Sequence, residues 1–181
     1  MKRLIFVVVL VLGTGQIRAS DVESGPEVGS KVTKFPVQDC TGENKDKAVD
    51  YVDLRKDKVT VYLVLPQDKF SRPMNRFMKT LDDKVSAELK DVYLVGVWLT
   101  DDEEKTKTFL PRVQTSVNYD RTALTYFKGK DGPKGWNINP DAHLTVIVVD
   151  KNKVAARFAY NSVNDTEVPQ VFKAISRLAK K

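Results

Sequence analysis

The chain reads as an α/β protein, a central mixed β-sheet flanked by helices and closed by a C-terminal β-β-α unit. Three observations predict this. Residues 59–65 (VTVYLVL) and 92–99 (VYLVGVWL) are charge-free runs of β-branched, aromatic and aliphatic residues, the pattern of strands buried on both faces. Between them Phe70, Met74, Phe77, Met78, Leu81, Val85 and Leu89 recur at steps of three and four, which predicts an amphipathic helix. A third run, 144–149, turns tightly at 150–153 and returns as 154–160 before a last helical pattern.

Taken in order, the chain opens with Lys2 and Arg3, nine apolar residues from Leu4 to Leu12, and a polar stretch ending near Ala19 and Ser20. That is a secretory signal peptide over residues 1–20, cleaved after Ala19 or Ser20, and it implies export to a periplasmic or extracellular location. Nine apolar residues are too few to span a bilayer, which takes about twenty, so no stable membrane anchor is expected after cleavage. Residues 21–30, with Gly25, Pro26 and Gly29, read as a flexible N-terminus, and 31–181 as one domain.

The formal charge of +6 shrinks on processing. Losing Lys2, Arg3 and Arg18 leaves 27 of the 30 basic residues against 24 acidic ones, a net of +3. Lysines and acids alternate with no basic stripe, so nucleic acid is not an expected partner.

Residues 32–37 alternate apolar and polar and predict a first strand, with Val32, Phe35 and Val37 inward. A turn-rich segment carries Cys40, and Tyr51, Val52 and Leu54 form a short element. In the main helix Ser71 is the expected N-cap and Pro73 lies in the first turn, while Arg76, Lys79, Asp82, Asp83 and Glu88 line the solvent face. Thr100 or Asp101 should cap a second helix that opens on acids and ends near Leu110, before Pro111. The acids at 101–104 suit the helix dipole better than a cation, because successive helical residues point to different sides. Residues 118–142, with Gly129, Gly132, Pro133, Gly135 and Pro140, read as a loop in which Tyr126, Phe127 and Trp136 pack on something. Asn164 or Asp165 caps the last helix, whose buried face is Val168, Val171, Phe172, Ile175 and Leu178; Asn164-Asp165-Thr166 also fits an N-glycosylation pattern.

This order, with helices expected on both faces of the sheet, resembles the thioredoxin-like superfamily. That family carries Trp-Cys-Gly-Pro-Cys between its central strand and the following helix, where this chain has Phe70, Ser71, Arg72, Pro73 and Met74. Leu144, followed by Thr145, stands where the family places a cis-proline and threonine. The stretch from Gly29 through Pro36 and Cys40 to Gly42 resembles the alkyl hydroperoxide reductase and thiol-specific antioxidant branch, the peroxiredoxin-like proteins.

The resemblance implies a redox scaffold with serine and methionine at the two cysteine positions. Exchange chemistry needs a thiolate, and Ser71 cannot supply one. His143, the only histidine, has no evident acid to orient it, so a Ser71–His143 hydrolytic pair is set aside in favour of a surface histidine and a helix cap. The preferred reading is therefore a non-catalytic binding or assembly module for a protein or peptide, using Phe70 to Met74 with His143, Leu144 and Trp136 as its surface. The alternative is a one-cysteine, thiol-dependent peroxidase or oxidoreductase acting through Cys40. As the lone cysteine, Cys40 could bridge only to another molecule, so a Cys40-linked dimer is the third reading; a small buried hydrophobe is the plainest. No cofactor and no metal are expected.

Overall fold

The computed structural model describes residues 22–179, so the signal-peptide reading of 1–20 lies outside them. Seven strands form one sheet: β1 (Val37–Asp39), β2 (Ala48–Val49), β3 (Thr60–Pro66), β4 (Tyr93–Thr100), β5 (Thr122–Lys128), β6 (Leu144–Asp150) and β7 (Lys153–Tyr160). Their order across the sheet is β2-β1-β5-β4-β3-β6-β7. The centre, β3 to β5, is parallel, while β1, β2, β6 and β7 join antiparallel. All seven residues of β3 are buried, as a charge-free central strand requires.

The helices are α1 (Tyr51–Leu54), α2 (Arg72–Glu88), α3 (Glu103–Val117) and α4 (Val168–Ala179). Steps from β3 to β4 to β5 run in one direction, so right-handed crossovers place α2 and α3 on the same face. One core accordingly joins Val61, Leu63, Leu94, Trp98 and Leu124 to the apolar faces of α2, α3 and α4. The expectation of helices on both faces is met on the other side only by the single turn α1. There Tyr62, Val64, Val95 and Val97 are covered by Val32, Phe35, Tyr51 and Trp136.

Those covering segments correct two expectations. Residues 22–30 are tied down: the Ser24 and Thr145 hydroxyls lie 2.6 Å apart, Gly25 N–H donates to Asn137 O, and Gly29 N–H donates to Val154 O. A glycine is needed at 25, where φ is +93° and a Cβ would press on Ile147 and Thr145 at 3.3 Å. Residues 32–36 cover the sheet without entering it, and the first strand is only Val37–Asp39.

Three further boundaries move for local reasons. Residues 122–128 are a strand, β5, hidden in what reads as loop because two turns bracket it. Helix α3 does not stop before Pro111, since a proline deletes one backbone bond while Leu110 and Val113 keep the apolar face buried; it ends at Asn118, in the left-handed region at φ 56°. Its cap is Asp102, which accepts from Lys105 N–H at 3.0 Å. Asp82, expected on the solvent face of α2, is fully buried.

Lys151 and Asn152, at φ 49° and 60°, form the two-residue β6–β7 turn, a conformation lysine adopts at some cost. Lys151→Gly should raise stability by about 0.5 kcal/mol, read as a higher urea midpoint.

Candidate functional site

The sheet's C-terminal edge is assembled where β3 ends. Gln67–Lys69 make one 3-10 turn, Phe70 is extended, and Ser71 begins α2. Ser71, Arg72 and Pro73 are exposed and Met74 is 1% exposed, filling the core beneath them. Ser71 occupies the N-cap but its hydroxyl makes no capping bond; its carbonyl accepts from Asn75 N–H at 2.9 Å. Phe70 precedes the helix and packs its ring on Trp98 and Phe109, with centroids 5.4 and 5.9 Å away.

The antiparallel pairing of β6 with β3 sets Thr145 beside Val64, and one and two further steps in that register bring Leu144 and His143 level with Leu65 and Pro66. So Leu144 and His143 share this edge with Ser71. Leu144 is fully buried and no cis peptide occurs among the described residues. His143 is half-buried, its backbone N–H donating to Tyr160 O at 2.8 Å, and no hydrogen bond joins its ring to Ser71.

Of the residues expected at the binding surface, Met74, Leu144 and Trp136 are buried and do not belong to it. Trp136 is 0% exposed: its ring meets Phe35 and Tyr62 edge-on, and its indole N–H donates to Thr33 O at 2.8 Å. A large amphipathic ring with a backbone acceptor at hand is core material, so its place in a binding surface is withdrawn. Cys40 is 2% exposed and follows β1, its N–H donating to Leu124 O on β5. β5, β4 and β3 follow in order across the sheet, so three strand spacings set it about 14 Å from β3. The thiol meets neither Ser71 nor Arg72.

Burial first, then the charges of Asp39 and Asp46, push the Cys40 thiol up to about 11. Its reference value is 9.0. Between pH 9 and 11 the unfolded chain therefore loses a proton that the folded chain keeps. Stability conferred by Cys40 is complete below that window and declines through it, by about 2 kcal/mol. Urea unfolding at pH 8 and 10.5 should show a smaller loss for Cys40→Ala than for the unsubstituted protein.

Sequence reading overlooked what lies beside Phe70. Gln67 Oε1 accepts from the hydroxyls of Thr100 and Thr106, both buried, so the turn after β3 is bound to the end of β4 and the start of α3. Thr106 Oγ1 also lies 2.8 Å from Asp102 O. Gln67, Thr100 and Asp102 border a cleft of about 830 Å³, and Thr106 is buried behind them. Nothing in their spacing marks them as a set, because they come from three elements brought together only by the fold. No group of three or more His, Cys, Asp or Glu placed to hold a metal occurs among the described residues.

No family model matches the sequence, and no curated protein matches it. Solved structures do. An uncharacterized conserved protein from Geobacillus kaustophilus superposes with a TM-score of 0.67 at 14% identity, over 87% of this chain and 86% of that one. A putative thiol:disulfide interchange protein DsbE from Chlorobium tepidum gives 0.57 at 16%, over 85% and 99%. The fold is thioredoxin-like. Peroxidoxin BcpB from Mycobacterium tuberculosis, at 0.62 and 15% over 84% and 98%, extends the likeness to the peroxiredoxin branch. At these identities the likeness is one of fold, and a thioredoxin-like scaffold can carry chemistry only through the groups its site presents. Here those are a free hydroxyl, a buried thioether and a distant buried thiol.

Proposed function

We propose that this chain is an exported thioredoxin-like domain that performs no thiol-disulfide exchange and serves as a binding or assembly module for a protein or peptide. The surface assigned to that role is the edge formed by Phe70, Ser71, Arg72 and Pro73 with His143. One observation carries the reading: at the N-terminus of α2 the accessible group is a hydroxyl, while the chain's one sulfur nucleophile is buried beyond β5. A hydroxyl without an adjacent base is inert at neutral pH, and a thiol held near 11 is almost wholly protonated there. Export rests on the charged and apolar pattern of residues 1–20; no helix among the described residues is long and apolar enough to cross a membrane.

The test is turnover. Purified mature protein is supplied with hydrogen peroxide and dithiothreitol, and separately with insulin disulfides, beside Cys40→Ser. Both proteins should match the uncatalysed background. Consumption of peroxide that disappears in Cys40→Ser would establish the one-cysteine enzyme instead, and a Cys40-dependent dimer band on a non-reducing gel would establish the covalent assembly.

A further inference from the structure

The cleft beside Phe70 has one wall from the Gln67–Lys69 turn and the other from α3, whose Lys105, Thr108, Phe109 and Arg112 face it, with Leu99 at the sheet end. We propose that this cleft is the domain's peptide site, accepting an extended segment whose one large apolar or aromatic side chain packs on the joined rings of Phe70 and Phe109. The inference rests on the binding-module reading and supplies its location and ligand class. A cleft of about 830 Å³ lies within the range of sites that enclose small ligands or a few residues of chain.

Charge selects polypeptide over other ligands. Four carboxylates and three cations border the cleft, and Lys130 is already paired with Asp101 at 3.3 Å. A phosphate, a nucleic acid or a metal ion calls for one prevailing sign, which this rim lacks. A peptide backbone carries no net charge and offers donors and acceptors in alternation, which a rim of mixed sign can meet from both sides.

A second observation points the same way. Trp98 is fully buried, yet its indole N–H has no hydrogen-bond partner, an uncommon state for a buried donor. The Cζ3 and Cη2 edge of the ring lies against Gly96, where a Cβ would approach within 2.7 and 3.4 Å, so the N–H is on the edge turned away from Gly96. Phe70 touches the indole and also lines the cleft. Phe70 is thus the contact between the cleft and this indole, and a segment seated on Phe70 acts on Trp98 through that ring. Gln67 adds a donor, since its carbonyl oxygen is engaged by Thr100 and Thr106 and its amide N–H groups remain.

The chain has two tryptophans, so its 15N spectrum carries two indole signals. The probes are acetyl-Gly-Ser-Phe-Ser-Gly-amide and the same peptide with alanine for phenylalanine. At millimolar concentration the phenylalanine peptide should move the Trp98 indole signal and the amides of residues 67–70 and 104–112, and bind at least fivefold more tightly than the alanine peptide. Thr108→Arg, at an exposed position in the wall, should abolish those shifts and leave the remaining spectrum in place. Unmoved signals, or equal shifts in Thr108→Arg, would overturn the assignment. Shifts confined to Ser71, His143 and Leu144 would refute the cleft while leaving a binding module; peroxide turnover dependent on Cys40 would instead sink the module itself.

Discussion

A cysteine introduced at position 71 should be alkylated by iodoacetamide at pH 7 at least about a hundredfold faster than the native Cys40. The comparison uses Ser71→Cys in a Cys40→Ser background beside the unsubstituted chain. Ser71 is exposed at the N-terminus of a 17-residue helix with no acid in its first turn, and Arg72 follows it. Helix dipole and cation together bring such thiols to roughly 3.5–7.5. Cys40, at about 11, holds only about one part in ten thousand as thiolate at pH 7. The gap in thiolate fraction exceeds about a thousandfold, and for an introduced thiol at the upper end of that range, where Arg72 and the dipole act on an otherwise solvated group, the lower intrinsic nucleophilicity recovers about one and a half powers of ten of it. Burial of Cys40 then widens the difference again. Equal rates for the two thiols would mean that Cys40 opens to solvent readily, and the case for an inert sulfur would fail.

That experiment probes the part of the molecule most legible from sequence. Charge-free runs locate β3, β4 and β6 because burial on both faces leaves no room for a polar residue, and the three-and-four spacing locates α2 for the same reason. The order of these elements is enough to suggest the superfamily, and it places the edge where Ser71 and His143 do sit. What stays hidden depends on contacts between distant residues. β5 is obscured by the turns around it, Trp136 looks like a surface aromatic until Thr33 O is found beside its N–H, and Pro111 reads as a helix stop because the burial of Leu110 and Val113 is a tertiary fact. The cleft is the extreme case: Gln67, Thr100, Lys105 and Phe109 carry no pattern in common. A buried polar residue on an apparently solvated face is equally invisible to periodicity, and Asp82 is one.

Asp82→Ala should cost about 3–4 kcal/mol. From α2 the carboxylate accepts the N–H groups of Asp120 and Arg121 at 2.8 and 2.9 Å and the Thr122 hydroxyl at 2.7 Å, so it fixes the turn that starts β5. Alanine would strand three donors, each worth roughly 1–3 kcal/mol where water cannot reach it; Asp120 is exposed, which lets water recover part of the loss. Against a typical total of 5–15 kcal/mol this is a large share, and it should lower Tm by roughly 10 °C in a domain of this size. Asp82→Asn retains one acceptor oxygen and should lose about 2 kcal/mol. The neighbouring Asp83 supplies the contrast: its carboxylate pairs with Lys79 at 2.7 Å but is 61% exposed, so Asp83→Ala should change stability by less than about 0.5 kcal/mol. Urea denaturation of the three variants decides the matter. If Asp82→Ala proves no worse than Asp83→Ala, the start of β5 is held by its parallel pairing with β4 and not by the acid beneath it.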